Sequence, residues 1–214
     1  MSRKKIGLLS MVMMLVLVLV TACGGKEKEI SLGVTESGSY TNDYFGLSLT
    51  FPKEWLYQNA DQMMELMAAG KDVIAGDDES KKKMLDLSKS KTLNLLVTSK
   101  FPVDSGKVGP SAIAVAEKVS LLQGVKDGKD YLEASKKLMV DSKLPYEFKD
   151  ISTVKVGGKE MYTMQASINT GQDIVTQDYY SSIIDGYAFN LILTYIDAES
   201  KAETDKILES VTFK

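Results

Sequence analysis

The chain has 214 residues, 44% of them hydrophobic, with 26 basic and 29 acidic side chains for a net charge of −3. That is material for one domain with its own core, and it is too apolar for a disordered chain. There is no histidine, and the one arginine is Arg3. The usual general base near neutral pH, the commonest metal ligand and the two-point guanidinium grip on phosphate are therefore missing from the body of the chain.

Arg3, Lys4 and Lys5 open a leader whose apolar run extends from Ile6 to Val20, broken by Gly7 and Ser10. A cationic start followed by an apolar middle reads as a secretory signal, and the run is shorter than the roughly 20 residues that span a bilayer. It closes on Val20-Thr21-Ala22-Cys23, which resembles the lipobox of bacterial lipoproteins, and Cys23 is the only cysteine in the chain. The resemblance implies signal cleavage between Ala22 and Cys23 and lipid attachment at Cys23. Two acyl chains on that sulfur, each buried methylene contributing about 0.8 kcal/mol, make a stable anchor on the extracytoplasmic face of the cell membrane. Without the three leader cations the chain keeps 23 basic against 29 acidic side chains, a net charge of −6. That balance argues against nucleic acid and against electrostatic docking on anionic lipid. The membrane partner is expected to be held through the lipid on Cys23 alone.

Residues 1–22 are thus expected to be signal peptide, and residues 23–39 the lipidated cysteine and a tether. Gly24 to Ser39 is rich in Gly, Ser and charge, and weak order is expected there. A first strand through Ile30 to Val34 is the less favoured alternative, because Gly33 interrupts it. The domain is expected to run from Tyr40 to Lys214.

Leu47, Leu49 and Phe51 alternate on one face of a strand that Pro52 ends, and Trp55 beyond it is expected to cap the core. Asn59 and Gln62 mark a helix start, with Met63, Leu66, Met67 and Ile74 at helical spacing and read as core. Asp77 to Lys91 is a charge-dense connection; Asp77, Asp78 and Glu79 lack the spaced pattern of a calcium loop, so no metal site is expected. Leu93–Phe101 and Ala112–Val119 are strands, joined by an exposed Pro- and Gly-bearing loop of the kind that carries recognition. A helix capped by Asp127 follows to about Ser142, with Tyr131, Leu132, Leu138 and Met139 on one stripe.

The last third carries the strongest pattern. Val156-Gly157-Gly158-Lys159 and Ile184-Asp185-Gly186-Tyr187 are hairpin turns, so Phe148 to Ile196 reads as a four-stranded antiparallel meander. Its final strand is apolar on both sides, Tyr187, Phe189, Leu191, Leu193 and Tyr195 against Ala188, Asn190, Ile192 and Thr194, which belongs in the middle of a sheet. A closing helix from about Ala198 to Ser210 turns Ala202, Ile207 and Leu208 inward. The fold class expected is α+β, an antiparallel sheet of about six to seven strands flanked by helices.

Tyr44-Phe45-Gly46-Leu47-Ser48-Leu49-Thr50-Phe51-Pro52-Lys53-Glu54-Trp55, the strand after Asp185-Gly186-Tyr187, and Ile207-Leu208-Glu209-Ser210-Val211-Thr212-Phe213 resemble, in this order, the PsbP-like domain. That family includes an extrinsic protein of photosystem II, a Ran-binding nuclear factor and many bacterial lipoproteins. The resemblance implies an antiparallel sheet flanked by helices and a role played through surfaces that bind larger assemblies. It matches no functional residue to a position in this chain.

The function expected is therefore a membrane-anchored extracytoplasmic lipoprotein acting as a non-catalytic accessory or protein-binding module, its partner an unidentified extracytoplasmic protein. The alternative is a small-ligand-binding lipoprotein associated with a transporter, using Trp55 and the tyrosines around the sheet as an apolar pocket. Ser, Lys, Asp and Tyr are present, but none sits in a diagnostic catalytic motif. No catalytic residue and no cofactor are expected.

Overall fold

The computed structural model describes residues 29–58, 62, 91–102, 105, 107–119, 124–141 and 143–214. Ala22 and Cys23 with the rest of the leader, the body of the helix expected from Asn59, and the acidic connection up to residue 90 lie outside the described residues.

The glycine-bearing turns behave as the sequence predicts. Gly157 and Gly158 have φ of 56° and 88°, and Asp185 and Gly186 have 49° and 80°. Two successive left-handed residues make the hairpin turn whose twist matches that of paired strands. The meander is accordingly present as β8 (Ser152–Val156), β9 (Lys159–Asn169), β10 (Ile174–Ile184) and β11 (Tyr187–Tyr195), each antiparallel to the next.

The strands are more numerous than expected and form two sheets. Eight build the larger one. In it β4 (Leu56–Gln58), β5 (Thr92–Ser99) and β6 (Ser111–Lys118) join the meander through β11, and β7 (Tyr146–Phe148) shares one side of β9 with β8. The smaller sheet has the order β1 (Val34–Glu36), β2 (Ser39–Asn42), β3 (Leu47–Thr50) and β12 (Thr212–Phe213), so the chain's last strand closes against β3. All pairings are antiparallel, and two described helices, α1 (Gly128–Asp141) and α2 (Ala198–Ser210), complete an α+β fold.

The core lies between the two sheets. Ala112, Ala114 and Ala116 of β6 stand opposite Leu193, Leu191 and Phe189 of β11, so all six share one face of the larger sheet. The small alanines leave room for the aromatics of the smaller sheet and its turns, and Phe45 packs 5.9 Å from Phe189 between ring centres. A shift of register at Asn94/Leu96 brings both Leu95 and Leu96 into this core. Trp55 caps it as expected, 4% exposed. Helix α2 covers the same inner face, packing on β3, β6 and β11, whereas α1 packs on β9 and β10.

Three local expectations are corrected. The expected tether is ordered from Ser31, where the compact unit Ser31–Lys214 begins, and it contains strand β1. The cause is a pair of buried side chains: the Tyr40 hydroxyl donates to Leu32 O at 2.9 Å, and the Asn42 amide donates to Ser31 O at 2.8 Å and to the Tyr40 hydroxyl at 2.9 Å. Gly33, read as an interruption, is required there, since its φ is +82° and a Cβ would lie 2.5 Å from the Tyr40 oxygen. In α1 the cap is right, Asp127 accepting from the amides of Lys129 and Asp130, but Leu138 is 72% exposed while Leu132 is fully buried. The step of six positions from one to the other corresponds to about 600°, which puts Leu138 away from the Gly128–Leu132 face. In α2 Ala202 is exposed, and the buried face is Ser200, Thr204 and Ile207.

Candidate functional site

Among the described residues Trp55, Tyr40, Tyr44, Tyr180 and Tyr187, envisaged as lining a ligand pocket, are packed into the core. Tyr44 and Tyr187 meet edge to face 6.0 Å apart and Tyr40 is fully buried. Burial pushes the Tyr40 phenol up to about 12, which suits a structural donor and not a base.

Two further buried polar groups serve structure. On the inner face, Gln165 Nε2 donates to Asp178 Oδ1 at 2.7 Å and to the Tyr195 hydroxyl at 2.9 Å. Lys201 sits 5.5 Å from the centre of the Tyr195 ring and pairs with Asp205 at 2.6 Å. Under α1, the Tyr131 hydroxyl donates to Glu117 Oε2 at 2.9 Å. Burial, reinforced by nearby carboxylates, raises the phenols of Tyr131, Tyr180 and Tyr195 well above their ordinary range. A nucleophile or general base needs its pKa moved toward neutrality, and these shifts go the other way. Among the described residues no group of three His, Cys, Asp or Glu side chains is placed to hold a metal ion, and no helix is long and apolar enough to cross a membrane.

One feature shaped to receive something is a groove of about 350 Å³ where the β5–β6 loop overhangs the outer face of the larger sheet. Its floor is two cross-strand rows. Ser99, Ser111 and Thr194 stand opposite one another on β5, β6 and β11, and one step further in Gln58, Val97 and Ile113 form a second row on β4, β5 and β6. The loop is held over this floor by the amide of Lys100, which donates to Pro110 O at 3.1 Å. Ser105 Oγ donates to Pro102 O at 2.6 Å and accepts from the Lys107 amide at 3.3 Å. The Phe101 ring lies on Gly109, where a Cβ would come within 2.6 Å of it. Lys107 Nζ is 5.5 Å from the centre of that ring, a cation–π distance. Sequence reading marked this loop as a carrier of recognition but none of the floor residues. Alternation along each strand hinted at the outer-facing Ser and Thr, and only the pairing brings them together.

No family model matches the chain, and no curated protein matches it. Solved structures similar to it are distant in sequence. The cyanobacterial PsbP protein CyanoP from Synechocystis sp. PCC 6803 shares 12% identity over 89% of this chain and 100% of that one, with a TM-score of 0.49. LpqN, involved in cell envelope biogenesis of Mycobacterium tuberculosis, shares 15% over 78% of this chain and 83% of that one, with a TM-score of 0.41. A protein from Bacteroides thetaiotaomicron shares 10% over 84% of this chain, with a TM-score of 0.43, and this chain spans 49% of its length. No role is carried over from these likenesses.

Proposed function

We propose that this protein is an extracytoplasmic lipoprotein, anchored through Cys23, that acts non-catalytically as an accessory module binding another extracytoplasmic protein. The anchoring half rests on Val20-Thr21-Ala22-Cys23 at the end of the apolar leader. Seven residues lie between Cys23 and the start of the compact unit at Ser31, a reach of at most about 29 Å over the eight steps. The binding half is carried by one observation: Leu138, Val140 and Leu144, three large aliphatic side chains within seven residues, are 72%, 55% and 52% exposed. Scattered exposed aliphatics are ordinary; here Leu138 and Val140 stand about 200° apart around α1 and Leu144 follows just beyond its last residue, so a partner that covers all three has to wrap the end of the helix.

Fractionation and mass spectrometry test the anchor. The parent protein is expected in the membrane, cut to begin at Cys23 and carrying diacylglyceryl mass. Cys23→Ala is expected uncut and without that mass; a parent that stays membrane-bound at full length would show an anchor helix instead. A photocrosslinking residue at position 138, 140 or 144 should join the chain to one and the same protein in cells, and Leu138→Asp should abolish the adducts at 140 and 144. A pattern indistinguishable from that obtained at exposed Glu209 overturns the binding surface and leaves the anchor standing.

A further inference from the structure

We propose that the groove under the β5–β6 loop binds small amphipathic carboxylates, a site separate from the Leu138–Leu144 surface and independent of the docking reading. The order of chemistry along the groove points to that class. At the loop end stands the Lys107 ammonium, exposed and engaged in no ion pair among the described residues. Next comes the row of three hydroxyls, Ser99, Ser111 and Thr194, followed inward by the row Gln58, Val97 and Ile113, with Phe101 as a wall. Cation, then neutral hydrogen-bonding groups, then a floor that is aliphatic at Val97 and Ile113 is the complement of a molecule with an anionic head on an apolar body; Gln58 at the side of that floor has its buried Oε1 unpaired among the described residues.

Of the three hydroxyls, Thr194 is the one whose contacts leave its proton for that part, while that of Ser99 is already spent. Ser99 Oγ donates to Phe101 O at 2.7 Å, and Thr194 Oγ1 accepts from Gln177 Nε2 at 3.3 Å, with Gln177 in turn accepting from the Tyr179 hydroxyl at 2.7 Å. Thr194 thus spends an acceptor position on Gln177 and keeps its O–H to donate. A carboxylate oxygen can take that proton while Lys107 balances its charge. The volume of about 350 Å³ lies at the lower end of small-molecule sites, which suits an aryl- or alkyl-alkanoate and excludes a folded partner domain. Gly109 keeps the entrance built, because any larger residue there displaces the Phe101 ring.

The test uses the full chain purified into phospholipid nanodiscs and a diazirine-bearing analogue of 4-phenylbutyrate, with adducts mapped by mass spectrometry. Adducts are expected within residues 97–113 and are expected to be displaced by 4-phenylbutyrate. 4-Phenylbutanol, which keeps the body without the charge, and butyrate, which keeps the charge without the body, should each displace them at least about fivefold more weakly. Lys107→Ala changes an exposed side chain, leaves the fold intact by circular dichroism, and should lower labelling about fivefold at subsaturating probe. Adducts spread along the chain, equal displacement by the alcohol, or labelling indifferent to Lys107→Ala would each overturn the proposal.

Discussion

The two faces of the larger sheet are built from the same strands and differ in almost everything else. The inner face is a continuous apolar surface in which Ala112, Ala114, Ala116, Phe189, Leu191 and Leu193 are all buried under the smaller sheet and α2. The outer face is mixed. Helix α1 covers β9 and β10, but toward β5 and β6 the side chains alternate between hydroxyl and aliphatic and remain half-exposed beneath an overhanging loop. Burial on one face supplies the stability that permits an incompletely closed surface on the other, since a domain needs one well-packed core and not two.

The comparison breaks if truncation costs the same on both faces. Phe189, packed against Phe45 and 5.8 Å from Phe213, should lose about 3–5 kcal/mol as Phe189→Ala, the range for a buried aromatic. Ile113→Ala, on the groove floor, should lose about half as much or less, because part of its surface already meets solvent. Denaturant melts of the two variants decide it. Equal losses would mean that the outer face is as closed as the inner one, and the groove would then be a packing defect.

Much of this division was legible in the sequence and some of it was not, for physical reasons that differ by element. Turns and caps are local, so Gly157-Gly158, Asp185-Gly186 and Asp127 were readable from their neighbours alone. The central position of β11 was readable because a strand apolar on both sides has nowhere else to go. The closing strand of the smaller sheet depends on β3 pairing with β12, Ser48 with Thr212, a contact across most of the chain that no local pattern encodes. The groove floor was illegible for the same reason, since Ser99, Ser111 and Thr194 mean nothing together until β5, β6 and β11 are neighbours. Leu138 was misassigned because, six positions on from Leu132, it falls about 120° around the helix and off the face that Gly128 and Leu132 bury.

The ordered start of the domain sharpens the comparison at a smaller scale, because it tests whether side-chain hydrogen bonds or strand pairing hold β1. Tyr40→Phe keeps the ring in the core and removes the hydroxyl that donates to Leu32 O and accepts from Asn42. The expected loss is about 1–2 kcal/mol, the cost of two hydrogen bonds moderated because Asn42 keeps its bond to Ser31 O. Amide exchange of residues 31–36 should speed up more than that of the meander. Exchange that rises uniformly across the chain would show that β1 is held by its pairing with β2, and the tyrosine would have only a packing role.

The smallest effect belongs to the edge of the inner face, where α2 begins. Asp197 accepts from the Ser200 amide at 2.7 Å and from its hydroxyl at 2.6 Å, while Ser200 Oγ accepts from the Asp197 amide at 3.0 Å, a reciprocal cap. The bonds from Ser200 hold the Asp197 carboxyl below its usual value. A carboxyl whose folded pKa is depressed contributes stability that is fully present above its unfolded value, near 4, and is lost as pH falls through the folded one. Asp197→Ala should therefore melt below the parent at pH 7, and the gap should narrow as the buffer is taken from about pH 5 to below pH 3. A gap that stays constant through that window would mean that the side chain acts there as a neutral cap, and that its charge adds nothing to the helix covering the core.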